Sequence, residues 1–336
     1  MQRKRIYVAY TGGTIGMQRT DKGYAPVAGF LTQSVKANPE FHRDEMPEFE
    51  IHEYDQLIDS SNTDPSDWQR IADDVADNYD RFDGFVILHG TDTMAFTASA
   101  LSFMLQGLSK PVIVTGSQIP LVELRSDGQT NLLNSLYIAA NYQIAEVCLF
   151  FNNVLLRGNR STKVHADGFA AFGSPNLPPL LNAGIEIRTG EPALEAAAGV
   201  KLSVANISTQ AIGVVTLYPG ISTEVIANIL QQPVKALILL SFGVGNAPER
   251  PDLLQLLQEA HQREILVLNL TQCLQGKVNM AGYATGNALS QAGVLSGFDM
   301  TTEAALTKLH YLLSQPLSFA ERCQLVQQPL RGELSQ

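Results

Sequence analysis

Short runs of apolar residues alternate with segments of helical periodicity along most of this chain. The runs are apolar at consecutive positions rather than at every second one, which is typical of strands buried on both faces of a sheet. Such burial requires helices on both sides, so the alternation indicates an α/β fold with largely parallel strands. For the first half it predicts strands at 5–10, 84–88, 111–115 and 146–151, and helices at 67–79, 93–108 and 127–142.

A break in the alternation near residue 187 indicates a domain boundary. Residues 189–208 carry Gly, Pro and Ala with little organised periodicity, so we predict a linker there. This divides the chain into a larger N-terminal α/β domain, residues 1–188, and a smaller C-terminal α/β domain, residues 209–336; a length of 336 residues suits two domains. In the second domain the pattern predicts strands at 212–218, 236–242 and 265–270, and helices at 223–231, 251–262, 285–292, 302–313 and 318–326.

The composition narrows the classes of function. The chain has 33 acidic and 23 basic side chains, a formal net charge of −10, and no block of five or more basic residues. Binding of phosphates needs clustered Lys and Arg, so we expect no nucleic-acid partner, and a membrane surface is disfavoured for the same reason. The first apolar run is too short for a secretory signal, and no stretch approaches the ~20 apolar residues of a membrane span.

The cysteines and histidines lack the spacings of a disulfide framework or a metal site. Three cysteines, Cys148, Cys273 and Cys323, are an odd number in a long chain, which favours a reducing cytoplasm. No Cys-x-x-Cys or His-Glu-x-x-His motif occurs. We therefore expect no metal.

Hydroxyl groups are concentrated directly after the predicted strands of the first domain. In open α/β sheets, ligands bind beyond the carboxyl ends of the strands. Three such positions carry Thr, Ser, Asp and amide side chains, and their glycines allow the backbone to approach a ligand closely. These segments are Thr11-Gly12-Gly13-Thr14-Ile15-Gly16, His89-Gly90-Thr91-Asp92-Thr93 and Thr115-Gly116-Ser117-Gln118.

The motifs of the common nucleotide sites and of a serine hydrolase elbow are missing. If a nucleophile acts here, threonine is the better candidate, and Thr14 or Thr91 would need a base to remove its proton. A lysine can supply that base, because desolvation lowers the pKa of a buried amine. Lys163 follows the strand predicted at 146–151, so a relay of Thr91, Lys163 and Asp92 is chemically coherent.

Each motif also has a structural interpretation. Thr-Gly-Gly-Thr is compatible with an ordinary tight turn, and Lys163 with a solvated surface lysine. We expect His89 and Trp68 to be packed rather than catalytic, and Cys273 to be a buried small apolar residue.

Two segments together resemble the signature sequences of the bacterial-type L-asparaginases: Tyr10-Thr11-Gly12-Gly13-Thr14-Ile15-Gly16 and Gly84-Phe85-Val86-Ile87-Leu88-His89-Gly90-Thr91-Asp92-Thr93-Met94. The resemblance runs from Arg5 to about Gly332 and is similar above all to the cytoplasmic type I enzymes of enterobacteria. Four further segments occur in the expected order, namely 59–62, 115–120, 158–163 and 243–248.

The resemblance implies hydrolysis of L-asparagine to L-aspartate and ammonia without a cofactor. Thr14 matches the family nucleophile, which attacks the side-chain amide to form a β-aspartyl ester. Thr91, Lys163 and Asp92 match the second triad, which activates the nucleophile or water. Backbone N–H groups near Thr91 and Ser117 suit an oxyanion hole.

The resemblance also implies substrate contacts and a lid. Asp59, Ser60 and Ser61 match the segment that holds the α-amino and α-carboxyl groups of the substrate, with Thr91, Asp92 and Ser117 completing the binding set. Tyr24 lies in the mobile loop after Thr14. Gly23 and Gly29 would give that loop the freedom of a lid.

Family members are homo-oligomers, so a homodimer or a homotetramer built as a dimer of dimers is expected. Tyr283 and Asn246 are candidates for contributing to a neighbour's site. Some type I relatives bind asparagine at a separate effector site, where an arginine occupies the place of Leu240 here. Of that effector site, Thr162, Thr271 and Cys273 are retained, but the loss of a bidentate carboxylate partner puts it in doubt.

Three alternatives remain open from the sequence. An ammonia-releasing subunit of a tRNA-dependent amidotransferase would carry an added N-terminal domain and approach RNA, which the charge of −10 disfavours. A mixed glutaminase-asparaginase differs by one methylene of substrate, worth only ~1–3 kcal/mol. A non-catalytic sensor of asparagine or aspartate would keep the pocket without turnover, and the joint presence of Thr14, Thr91, Asp92 and Lys163 argues against it.

Overall fold

The computed structural model describes residues 3–21, 23–231, 233–280, 282 and 284–336. The chain divides into two compact units, Met1–Ala205 and Asn206–Gln336. Across the described residues, no helix is long and apolar enough to cross a membrane.

The first unit is built on a large mixed sheet with helices on its faces. Its strands are β1 (Arg5–Gly12), β2 (Met17–Thr20), β3 (Gly23–Pro26), β4 (Glu48–Ile58), β5 (Gly84–Leu88), β6 (Leu105–Gln106), β7 (Val112–Thr115), β8 (Val147–Phe151), β9 (Val154–Arg157), β10 (Thr162–Lys163), β11 (Phe172–Gly173), β12 (Leu181–Ala183), β13 (Ile187–Thr189) and β14 (Ser203–Val204). Its helices are α1 (Phe30–Ala37), α2 (Pro65–Asn78), α3 (Met94–Met104) and α4 (Gly128–Asn141).

The main sheet has the order β13-β12-β9-β8-β7-β5-β1-β4. Strands β4, β1, β5, β7 and β8 run parallel, whereas β9, β12 and β13 extend the sheet in antiparallel fashion. Every residue of β5, β7 and β8 is buried. This confirms the prediction of an α/β fold with largely parallel, doubly covered strands, and it brings the carboxyl ends of β4, β1, β5 and β7 to one edge.

Strand β4 was not predicted, because it is not apolar throughout. Within the described residues it lies at the sheet edge and pairs with β1, so its exposed positions carry charged side chains such as Glu48 and Glu50. Alternating burial of this kind is the signal of a strand with one solvated face. The loop predicted after Thr14 is also different: β2 and β3 form an antiparallel hairpin there.

Helix α2 shows why the helical predictions were close. Asp64 caps its start in a capping box with Asp67, and Pro65 occupies the first turn, where no backbone donor is needed. Its apolar residues recur every three or four positions, and this face is buried. The buried residues are Pro65, Trp68, Ile71, Ala72 and Val75.

The second unit contains a parallel sheet in the order β15-β16-β17-β18. Its strands are β15 (Ile212–Thr216), β16 (Ala236–Ser241), β17 (Leu266–Thr271) and β18 (Leu295–Ser296). Its helices are α5 (Thr223–Gln231), α6 (Pro251–Gln262), α7 (Ala284–Gln291), α8 (Thr302–Ser314) and α9 (Phe319–Val326). Two apolar clusters cover the sheet, one containing residues of α5 and α6 and the other residues of α8 and α9.

A buried ion pair joins α8 to the C-terminal segment. The Lys308 ammonium and the Glu333 carboxylate are both 0% exposed and lie 2.5 Å apart. Lys308 also donates to the carbonyls of Val326 and Gln328, and Glu333 accepts the backbone N–H of Leu330. Burial lowers the pKa of the Lys308 amine, although Glu333 acts in the opposite direction.

We expect Glu333→Ala to lower the free energy of unfolding of this unit by about 3–5 kcal/mol, because it leaves a buried ammonium without its counter-charge. Chemical denaturation followed by circular dichroism measures the loss. Glu259→Ala removes an exposed glutamate of α6 and is the matched control, for which little change is expected. Equal stabilities of the two variants would contradict the assignment of Glu333 as a stabilising residue.

Candidate active site

The loops that follow β1, β4 and β5 approach one another at the carboxyl edge of the main sheet. A Cβ atom on Gly13 would lie 2.4 Å from the backbone nitrogen of Gly90, and one on Gly90 would lie 2.4 Å from Ser60 Oγ. Both distances are shorter than real Cβ contacts, so only glycine allows these loops to come so close. Polar groups from three separate parts of the chain are thereby brought together.

Lys163 connects to two of the predicted site residues. Its Nζ donates to Thr91 Oγ1 at 3.0 Å and to Asp92 Oδ1 at 2.8 Å. Thr91 is buried, the Lys163 side chain is 20% exposed and that of Asp92 is 64% exposed. The ammonium is therefore held between a buried hydroxyl and a solvated carboxylate, so Lys163 is not the freely solvated lysine of the structural interpretation.

Thr14 is separated from β1 by Gly13; it begins a short 3-10 turn, Thr14–Gly16, and is partly buried. Tyr24 lies on β3 opposite Arg19 of β2, and its side chain is 50% exposed. The β3 strand contacts the turn that carries Thr14. The hairpin thus places Tyr24 on the element next to Thr14, with its ring largely open to solvent.

The segment after β4 is a 3-10 turn, Ser60–Asn62, capped by Asp59. Asp59 Oδ1 accepts the Ser61 N–H at 3.1 Å, and Ser60 is buried while Asp59 and Ser61 are exposed. Thr93 Oγ1 donates to the Ser60 carbonyl at 2.7 Å. This bond ties the Asp59–Ser61 segment to the loop that carries Thr91 and Asp92.

Gln118 is a residue to which the sequence analysis gave no role. Thr91 Oγ1 donates to Gln118 Oε1 at 3.2 Å, and Gln118 Nε2 donates to the Gly168 carbonyl at 3.0 Å. The backbone N–H of Gln118 is held by both carboxylate oxygens of Asp127 at 3.0 Å. Ser117, by contrast, is buried, and its hydroxyl donates to the Ile119 carbonyl.

These contacts give the Thr91 hydroxyl a defined direction. Its oxygen accepts a hydrogen bond from Lys163 Nζ, and its hydrogen is donated in a second hydrogen bond to Gln118 Oε1. The sequence feature that could have identified Gln118 as a site residue is its position just after a buried strand, where an amide side chain can reach the same edge as the hydroxyls.

The proposed effector residues lie in both units. Thr162 is on β10 of the first unit. Thr271 ends β17 of the second unit; its Oγ1 donates to the Gly243 carbonyl and accepts the Cys273 N–H at 3.0 Å. Leu240 packs, partly buried, against the second unit's core.

The expectation that Cys273 is buried was wrong, because the loop after β17 leaves it exposed. His89 and Trp68 are buried, as expected. Asn246 forms an isolated bridge with Phe242, whereas Tyr283 lies outside the described residues. Among the residues described, no group of three or more His, Cys, Asp or Glu side chains is arranged to hold a metal ion.

A doubly covered α/β sheet with hydroxyl, lysine and carboxylate groups at its carboxyl edge suits an enzyme that acts on a small molecule. Family models identify the class: the N-terminal asparaginase domain matches residues 5–194, and the glutaminase/asparaginase C-terminal domain matches residues 211–325. The chain belongs to the asparaginase family.

The relatives are similar over the whole chain. L-asparaginase 1 of Escherichia coli (strain K12) is 66% identical over 336 residues, which is 100% of this chain and 99% of the relative. The crystal structure of L-asparaginase I from Vibrio cholerae O1 biovar eltor str. N16961 has 64% identity and a TM-score of 0.94, covering 99% of this chain and 100% of that one. The thermostable L-asparaginase from Thermococcus kodakarensis has 32% identity and a TM-score of 0.88, covering 99% of each.

Proposed function

We propose that this protein hydrolyses L-asparagine to L-aspartate and ammonia, with Thr14 as the nucleophile. The observation that carries the proposal is the contact of Lys163 Nζ with both Thr91 Oγ1 and Asp92 Oδ1. Thr91 and Asp92 belong to the loop that approaches Gly13, next to Thr14. The match to the asparaginase family and the similarity to relatives named L-asparaginase support asparagine as the substrate.

The reaction divides into two acyl transfers. Thr14 Oγ1 attacks the side-chain amide carbon, the C–N bond breaks, and ammonia leaves with the proton that Thr14 gives up. A β-aspartyl ester on Thr14 remains. Water then attacks the ester carbon, its proton returns to Thr14 Oγ1, and aspartate is released.

Lys163 and Thr91 supply the proton transfers. In its neutral amine form, Lys163 Nζ lies 3.0 Å from Thr91 Oγ1, where it can take the Thr91 proton and become an ammonium. Asp92 in turn balances the charge of the ammonium at 2.8 Å. As Thr91 Oγ1 takes a proton from the Thr14 hydroxyl in the first step or from water in the second, its own proton passes to Lys163, and the ammonium then returns that proton through Thr91 to the departing ammonia or to Thr14 Oγ1. Acid–base catalysis of this kind typically contributes 10²–10⁴ in rate.

The remaining predicted residues would hold the substrate. The carboxylates of Asp59 and Asp92 suit the α-amino group, and the Ser60 and Ser61 region suits the α-carboxylate. The bond from Thr93 Oγ1 to the Ser60 carbonyl supports this grouping, because it joins the two segments. With a net charge of −10, attraction of a carboxylate must come from groups in the site itself. Tyr24 on the β2–β3 hairpin would close over the bound substrate.

We further propose that the enzyme works in the cytoplasm as a homodimer or homotetramer, without metal or cofactor. Analytical ultracentrifugation tests the assembly. A monomer with full activity would contradict a site shared between subunits.

A mixed glutaminase-asparaginase is the second candidate, because the model that matches the C-terminal domain covers both activities. Ammonia release, measured over a full range of asparagine and of glutamine concentrations, compares the two. We expect a higher kcat/KM on asparagine. Equal values would establish mixed specificity, and absence of turnover while asparagine binds by calorimetry would establish the sensor.

The same curve tests the effector site. Because Leu240 offers no partner for a carboxylate, we expect hyperbolic dependence of the rate on asparagine concentration. Sigmoidal dependence would show that an effector site functions without an arginine at position 240.

A further inference from the structure

His89, the residue after β5, is buried and hydrogen-bonded at both ring nitrogens. Nδ1 lies 2.8 Å from the Gly90 carbonyl oxygen, and Nε2 lies 3.0 Å from Thr97 Oγ1 on α3. Thr97 Oγ1 also accepts the indole N–H of Trp68, on α2, at 3.2 Å. The ring is thus hydrogen-bonded to α3 directly, to α2 through Thr97, and to the active-site loop at its other nitrogen.

The chemistry of these partners assigns the ring protons. A carbonyl oxygen only accepts, so His89 Nδ1 carries the hydrogen and donates it to Gly90. An indole only donates, so Thr97 receives that bond and gives its own hydrogen to Nε2. His89 is therefore the neutral Nδ1–H tautomer. Burial lowers its pKa, which is consistent with a neutral ring.

The bond to the Gly90 carbonyl has a consequence for the next residue. The peptide group between Gly90 and Thr91 is planar and trans, so its C=O and N–H point in opposite directions. Holding the carbonyl against His89 therefore aims the Thr91 N–H away from the ring. Glycine at position 90 leaves this peptide easy to rotate, because it lacks the Cβ that Ser60 would exclude.

The Thr91 N–H donates to no acceptor within the part of the chain that the structure describes. Buried backbone donors without a partner are rare, and Thr91 is 9% exposed. This N–H, on the residue whose side chain contacts Lys163, is suited to donate a hydrogen bond to an oxygen of the substrate.

We infer that His89 is a positioning residue, which holds the Gly90–Thr91 peptide so that the Thr91 N–H faces the oxyanion formed on the substrate amide. The inference rests on the proposed function. A donor held in place before reaction stabilises the developing charge without reorganisation, and loss of one such donor costs about 10²–10³ in kcat.

Two substitutions distinguish the hydrogen bond made at Nδ1 from the one made at Nε2. The amide nitrogen of His89→Asn takes the place of Nδ1 and can still donate to Gly90, whereas the longer side chain of His89→Gln reaches the place of Nε2 and cannot. We expect kcat for ammonia release from asparagine to fall about 100-fold in His89→Gln, with KM and aspartate binding little changed. His89→Asn should stay within about 3-fold of wild type.

Thr97→Val is the matched control, since it disturbs the other end of the same buried network and keeps the bond to Gly90. We expect it to lower the melting temperature as His89→Gln does, but to keep kcat within about 3-fold of wild type. Equal loss of kcat in Thr97→Val and His89→Gln would overturn the inference, and so would an unchanged kcat in His89→Gln.

A measurement on the wild type does not depend on the folding of any variant. Nitrogen-15 NMR of labelled histidine reports the tautomer, and the Nδ1–H form is expected for His89. The Nε2–H form would overturn the inference. The proposed function fails separately, since that failure would appear as absence of ammonia release by the wild type.

Discussion

Thr14→Ala is expected to lower kcat for ammonia release by about 10⁴-fold or more, because no other group can take the place of the attacking hydroxyl. The partly buried side chain lies in a short turn at the end of β1, so the fold should tolerate the smaller residue. Initial rates at saturating asparagine give the loss, and thermal melting confirms that the variant is folded.

Thr14→Ser supplies the control for this result. It keeps the hydroxyl and removes only a methyl group, so it should retain most of the activity that Thr14→Ala loses. If Thr14→Ala turned over asparagine at the wild-type rate, the nucleophile would have to be another residue, and Thr91 would be the next candidate. Peptide mass spectrometry of acid-quenched enzyme would then locate the residue that carries the ester.

Lys163→Met is expected to lower kcat by about 10²–10⁴-fold, since it removes the cation that contacts both Thr91 Oγ1 and Asp92 Oδ1. Methionine keeps a flexible chain of similar length, so packing around β10 should change little. The rate of ammonia release and the affinity for aspartate are measured together. We expect kcat to fall far more than the affinity, because the relay acts on proton transfer.

Lys110→Met is the comparison for the loss of a lysine as such. Lys110 lies in the same unit and donates to the carbonyls of Tyr79 and Phe82, away from the Thr91 loop. Lys110→Met should therefore leave kcat near that of the wild type. Parallel losses in the two variants would mean that Lys163 acts through stability rather than through the relay.

The buried parallel strands were predictable because each is apolar along its whole length. The bounds of β5 agree with the prediction residue for residue, and those of α5 and α6 do as well. Strand β4 escaped this reasoning because it lies at the edge, where only alternate residues need to be apolar. The antiparallel strands β9, β12 and β13 escaped because strands of only three or four residues carry little periodic signal.

The candidate site was predictable in its membership and not in its contacts. Thr14, Thr91 and Ser117 stood out because they follow buried strands. Gln118 stands in the same motif, but its hydrogen bonds join it to Thr91 and Gly168, which lie 27 and 50 residues away in sequence. Cys273 was placed in the core on its residue type, whereas its loop leaves it exposed.

The sequence by itself determined that the first unit is a covered parallel sheet, since consecutive apolar residues are stable only when both faces are buried. It also determined that hydroxyls, glycines and Asp92 follow the strands. Only the tertiary structure decided that Lys163 reaches Thr91 and Asp92, which are 72 and 71 residues distant in the chain. Local pattern specifies which segments are buried, but the path of a loop follows from the packing of many distant residues. That packing sets the ammonium between its two partners, and it turns His89 toward Gly90.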